Sequence, residues 1–397
     1  MKRCLLIAFG AVFVLLAAGF ALAEEGLTDK EILVGAHHDL SGPLAGWSVP
    51  WIKGIEMKFK EVNEAGGVHG RKLRYICEDN KYDPKTAVMV TMKLINRDKV
   101  FCFLSNAGSP TALATKNLIS DRKIPQLFPV TCAEKFFKPH DRYSFLGNTP
   151  YYDQGRGIVN WFHKEKNIKR FAVIYQDDEM GLSQLEGVKD QVAQYPDSKL
   201  VASASFKRGA TDFSSQIAKL KMENPEILIV SAVIREPVGI MKELKRIGWN
   251  IALCGFASSQ SPLIPALAEK SGISADGFYV ASMLPNVYED SSIPFVREWF
   301  KKYKTMYGNE PDNAAAYGYF FAELFVTALE KAGPNLTREK LVDSLEKNFK
   351  NYKIRFGIPP LTFTSSDHKG VAGCVIQQIQ KGHYRTVSSD FVDWTKP

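Results

Sequence analysis

The places in this sequence that could do chemistry are short polar loops. Ser105-Asn106-Ala107-Gly108-Ser109-Pro110 and Pro129-Val130-Thr131-Cys132-Ala133-Glu134 each follow an apolar run and precede a helical one. Small residues there let backbone N–H groups and hydroxyls converge. A helix N-terminus adds partial positive charge, and the combination suits a carboxylate. The same residues would equally serve as ordinary capped helix starts. A third loop, Asp39-Leu40-Ser41-Gly42-Pro43 through Trp47, carries an indole able to cover an apolar group.

Signatures of covalent or metal chemistry are missing. There is no GxSxG elbow, HExxH, P-loop or usable GxGxxG in the sequence, so no nucleophile, phosphate cradle or zinc pair is specified. His37 and His38 end the first strand, but successive strand residues face opposite ways and are poorly placed to share one ion. Asp177-Asp178-Glu179 reads as a solvated loop or helix cap, since Mg²⁺ would want further oxygen ligands. Cys77, Cys102, Cys132, Cys254 and Cys374 contain no close pair. Most sit in apolar runs as buried thiols, with a single disulfide left open in an oxidising compartment. No catalytic residue, metal site or cofactor is expected, and an enzyme is the minority reading.

The elements that must position these loops alternate in type. Apolar runs at 32–36, 72–77, 100–104 and 126–130 alternate with amphipathic stretches at 50–65, 84–97 and 111–121, which predicts a βα series with a mostly parallel sheet. A second series opens after 144–150, with strands at 171–175, 200–205, 227–233, 251–256 and 278–283 and helices at 182–193, 213–222 and 238–247. Helices at 293–307, 313–331 and 338–349 follow, and the end reads as a hairpin around Lys381-Gly382.

The basic start Met1-Lys2-Arg3, the apolar run 5–20 and Ala21-Leu22-Ala23 form a secretory signal peptide with cleavage expected before Glu24. The rest is long enough for two domains. The chain carries 51 basic and 43 acidic residues, a net charge of +8. They are interspersed, as in Lys242-Glu243-Leu244-Lys245-Arg246, without a basic stripe, so no nucleic acid is expected.

Several stretches carry a resemblance. Ser41-Gly42-Pro43, Asn63-Glu64-Ala65-Gly66-Gly67-Val68-His69-Gly70-Arg71-Lys72, 79–84, 124–133 and Val173-Ile174-Tyr175-Gln176-Asp177-Asp178 through Gly181 resemble the leucine/isoleucine/valine-binding proteins of ABC importers, within the type I periplasmic binding proteins. The resemblance runs from about Glu31 to the C-terminus. It implies an α/β fold of two αβα sandwich lobes with parallel-type sheets, joined by a three-strand hinge. Lobe 1 would comprise 24–148 plus 284–355 and lobe 2 would comprise 149–283 plus 356–397. It further implies a monomer in the periplasm that takes a small-molecule ligand and delivers it to an inner-membrane ABC permease.

By the same resemblance the ligand carboxylate is held by Ser105, with Asn106 and Ala107 beside it, and by Val130 and Cys132, with Thr131 one residue away. Trp47 and Met180 match the aromatic and apolar covers of the two lobes, and Tyr151 and Phe256 are further candidate walls. Members that bind α-amino acids place an acidic residue where this chain has Ala257, and a buried ammonium without a carboxylate is costly. Arg235 offers a planar donor suited to a carboxylate or carbonyl. The expected cargo is therefore a small carboxylate or amide, aromatic or branched aliphatic. The alternatives are a branched-chain amino acid or a sensory rather than transport role.

Overall fold

β1 (Glu31–His38) buries seven of its eight residues, as a run apolar on both faces requires of a central parallel strand. It pairs in parallel with β2 (Lys72–Asp79) and β3 (Cys102–Leu104). With β4 (Gln126–Leu127) and β5 (Ser144–Phe145) these form a five-stranded sheet of order β2-β1-β3-β4-β5, parallel throughout. Helices α1 (Ala45–Glu64), α2 (Pro84–Asn96) and α3 (Ser109–Ser120) connect its strands. The structure is a computed structural model that describes residues 24–285 and 287–392. The leader expected at 1–23 lies outside the described residues.

The second sheet starts after α4 (Tyr151–Lys166) with β6 (Arg170–Gln176), α5 (Glu179–Val192), β7 (Lys199–Phe206) and α6 (Ser214–Met222). It continues through β8 (Ile227–Ser231), α7 (Arg235–Arg246), β9 (Ala252–Gly255), α8 (Leu263–Lys270) and β10 (Tyr279–Ser282). Then come α9 (Pro294–Tyr307), α10 (Asn313–Ala332), α11 (Arg338–Asn348), the short pair β11 (Thr362–Thr364) and β12 (Asp367–Gly370), and the hairpin β13 (Val375–Gln380) and β14 (His383–Thr386). The sheet order is β14-β13-β10-β9-β8-β6-β7. The terminal hairpin adds antiparallel to β10, so this sheet is mixed. Lys381 and Gly382 both take positive φ, 51° and 76°, the handedness a tight hairpin turn needs.

The chain passes between the sheets three times, after β5, β10 and β12, and two αβα lobes result. α10 returns to the first lobe and crosses α1 at very close range. A Cβ on Gly54 would lie 2.0 Å from the carbonyl oxygen of Ala315, and one on Gly318 1.9 Å from that of Trp51. Hydrogen bonds place the β11–β12 pair with the first lobe: Phe363 N–H donates to Phe349 (2.8 Å) and Leu146 N–H to His368 (2.9 Å). The last passage to the second sheet therefore follows Gly370, and residues 356–370 belong with the first lobe, contrary to the boundary expected at 355.

Candidate functional site

A partly open cavity lies between the lobes, where the C-terminal ends of both sets of strands meet. Its apolar wall begins on α1, which starts five residues earlier than the expected 50. Asp39, fully buried, organises that start by accepting from the N–H groups of Gly42 (2.5 Å) and Leu44 (2.7 Å). Pro50 lacks the N–H that would reach Gly46, yet it falls near enough to the helix start for the helix to continue. Leu44, Trp47 and Trp51 thus line the cavity from one helix. The Gly54 and Gly318 crossing brings Tyr317 of α10 flat against Trp51, with ring centroids 5.2 Å apart and planes 1° apart.

A polar end faces this wall. Ser109, the first residue of α3, sits with its hydroxyl 2.6 Å from that of Thr131 in the loop after β4. No side chain caps α3, so the N–H of Ser109 remains a donor at the positive end of the helix. Gly108 holds φ at 94° just before it, and a Cβ there would strike Thr111 Oγ1 at 2.4 Å and the Tyr82 ring at 2.6 Å. Two hydroxyls and a helix terminus in a buried setting are donors of the kind that suits an anion. Cys132 and Tyr151 adjoin it. Burial pushes both the Cys132 thiol and the Tyr151 phenol up, so both stay protonated.

The second lobe closes the far side with Met180, Val233, Ala257 and Ser258. The Trp47 indole N–H donates across the cleft to the Ser258 carbonyl at 3.0 Å. Elsewhere Arg208 donates to the Tyr82 carbonyl at 3.1 Å, and Glu134 bonds the Ser183 hydroxyl and accepts from the Tyr152 N–H at 3.0 Å. The lobes are closed on one another. None of the residues lining the cavity carries a charge.

Of the residues singled out from sequence, Trp47, Val130, Thr131, Cys132, Tyr151, Met180 and Ala257 line the cavity. Five do not. Ser105 is fully buried at φ 67°, its hydroxyl without a partner among the described residues. Asn106 turns inward to accept from the His37 N–H at 3.1 Å. Ala107 spends its carbonyl on Asn80 at 2.9 Å. Phe256 is fully buried in the core of the second lobe. Arg235 is exposed at the first position of α7. The serine facing the cavity is Ser109, four residues after the one expected, because the loop after β3 spends four residues, 105–108, pairing with its neighbours before α3 begins.

Sequence reasoning also passed over Trp51, Tyr82 and Tyr317. Trp51 and Tyr317 lie on helices and read as ordinary core, whereas Ser109 preceding a proline at a helix start was a legible signal. His37 and His38 are fully buried away from the cavity, and burial lowers both to a pKa of about 3. His37 is bonded to Thr115 (3.1 Å) and Asn80 (2.8 Å). Asp178 caps α5 through the N–H groups of Met180 and Gly181. All five cysteines among the described residues are free thiols. Among the described residues no cluster of His, Cys, Asp and Glu has metal-binding geometry.

Comparison with known proteins places this architecture. The sequence profile of the family described as periplasmic binding protein matches residues 31–383. The Leu/Ile/Val-binding protein of Citrobacter freundii is 24% identical over 267 residues, 67% of this chain and 71% of that one. A fatty acid ABC transporter substrate-binding protein from Thermomonospora curvata superposes with a TM-score of 0.86 at 26% identity, covering 94% of this chain and 95% of that one. A branched-chain amino acid ABC transporter from Thermus thermophilus with bound valine superposes with a TM-score of 0.81 at 21% identity, covering 92% and 97%.

Proposed function

The chain belongs to the periplasmic binding protein family, a non-catalytic class that works in the periplasm, and on that premise we propose that it is the substrate-binding component of an ABC importer. Its cargo is a small molecule with a carboxylate or amide at one end and an apolar body. The polar group sits against Ser109 and Thr131 and the apolar body against Trp47, Trp51, Tyr151 and Met180. Closure excludes water and strengthens the hydrogen bonds made inside. Release follows when an inner-membrane permease opens the lobes.

Two cargo classes compete. The curated relative named for Leu, Ile and Val favours a branched-chain amino acid, and this is the more widely supported of the two among related proteins. The observation that favours a cargo without an ammonium group is the uncharged lining, which includes Ala257 at the position where the family resemblance implies an acid. An ammonium desolvated there without a partner costs several kcal/mol. The likeness to a fatty acid binding component points the same way.

Calorimetry with matched pairs, leucine against 4-methylpentanoate and phenylalanine against 3-phenylpropanoate, on protein unfolded and refolded to strip bound cargo, separates the two. Tighter binding of the acids carries the reading without ammonium. Tighter binding of leucine replaces it with the amino-acid reading. Binding of neither class overturns both.

A further inference from the structure

A second, outer depression lies at the junction of the lobes, lined by residues adjacent in sequence to some that line the cavity. This shallow outer vestibule is bounded by Pro84 and Pro110 from the first lobe and by Asp178, Glu179 and Arg208 from the second. Pro110 follows Ser109 in sequence, and Asp178 accepts from the N–H of Met180 at 3.1 Å. The residues that face the vestibule are thus immediate neighbours of residues that face the cavity. Tyr82 stands between, lining the cavity while remaining 4% exposed.

Arg208 lies over Tyr82 from the opposite lobe. Its guanidinium carbon is 4.6 Å from the Tyr82 ring centroid, Nη1 donates to the Tyr82 carbonyl at 3.1 Å, and Nη2 meets Asp178 Oδ2 at 3.4 Å. A single side chain in the loop between β7 and α6 therefore joins wall residues of both lobes, Tyr82 directly and Met180 through Asp178. Its contacts with Tyr82 cross the cleft, so opening must break them.

We propose that Arg208 is a latch between the lobes, a positioning residue that sets how long cargo stays in the closed cavity. The proposal rests on the binding-protein reading and adds to it a contact that holds the lobes shut. A planar cation stacked on a ring and hydrogen-bonded to the same residue is specific to arginine. Lysine keeps the charge but loses the fork, and is expected to behave like alanine here.

The test uses the full chain with spin labels at Met89→Cys and Met222→Cys, residues 64% and 78% exposed on the first and second lobes. The distance distribution reads the closed fraction, and Trp47 fluorescence in stopped flow reads release of 4-methylpentanoate or leucine. Arg208→Ala and Arg208→Lys should release about 10- to 100-fold faster, with the association rate changed less than about 2-fold and the melting temperature of ligand-free protein unchanged. Equal closed fractions and release rates in wild type and Arg208→Ala overturn the latch. So does a drop in ligand-free melting temperature large enough to account for the loss. If neither probe closes the wild type, the cargo reading falls. A label-distance difference between wild type and Arg208→Ala as prepared then still decides the latch.

Discussion

Ser109→Ala is the substitution that bears most directly on the carboxylate site. Its hydroxyl is 2.6 Å from that of Thr131, and both line the cavity. A hydrogen bond to a charged group contributes about 1.5 to 3 kcal/mol, and about 1.4 kcal/mol is tenfold in affinity. Removing it should therefore raise the dissociation constant for 4-methylpentanoate by about 10- to 150-fold. Ser105→Ala supplies the internal contrast. That hydroxyl is equally buried but lies off the cavity and lacks a partner among the described residues, so its loss should leave affinity within about 2-fold and stability nearly unchanged. Titration calorimetry at pH 7 on stripped protein, with melting temperatures taken alongside, measures both. A Ser109→Ala protein that binds within 2-fold of wild type, or a Ser105→Ala protein that loses as much, would refute the placement of the anion at the start of α3.

Other perturbations follow from the packing. Gly54→Ala puts a Cβ 2.0 Å from a backbone oxygen of α10. It should lower stability by about 3 kcal/mol or more by forcing α1 and α10 apart, visible as a lowered denaturation midpoint. A Cβ on Gly46 would lie 2.7 Å from Leu263 Cδ1 and 3.1 Å from Ile234 Cδ1 across the cleft. Gly46→Trp should wedge the lobes and abolish binding while the ligand-free melting temperature holds, and retained affinity would contradict a closed contact there. Glu134 has its carboxyl raised to about 7, chiefly by burial and despite the bonds to Ser183 and Tyr152. A carboxyl raised in the folded state costs stability wherever the unfolded chain has ionised and the folded chain has not. The protein should lose up to about 3 kcal/mol between pH 4.5 and 7 from this group alone, and Glu134→Gln should flatten that slope in pH-dependent denaturant titrations.

Much of the fold was legible because local pattern and burial agreed. The apolar run 32–36 of β1 and the terminal hairpin at Lys381-Gly382 follow from periodicity and turn chemistry. α4 did not, since Gly155 and Gly157 argue against a helix by propensity. The reason lies in another element. A Cβ on Gly155 would meet Gln184 and Val188 of α5 within 3.0 Å, and one on Gly187 would lie 2.0 Å from the Tyr152 carbonyl. These glycines are fixed by a helix crossing that no local window contains. α8 was too short to stand out, and β11 and β12 gain their place from Phe363 packing on Phe128 and Phe145.

The sequence by itself determined the class of the protein: two βα series, polar loops at strand ends, no catalytic signature, and no acid at position 257. These are properties of local residue types, and they survive any arrangement of the lobes. Which serine faces the cavity, which aromatic rings form its wall, and which arginine bridges the cleft were decided only by tertiary structure. Ser105 and Ser109 differ by a few residues of loop path. Trp51 and Tyr317 meet only because two distant glycines let their helices touch. Arg208 finds Tyr82 only when the lobes close, so its role rests on a contact between residues 126 positions apart.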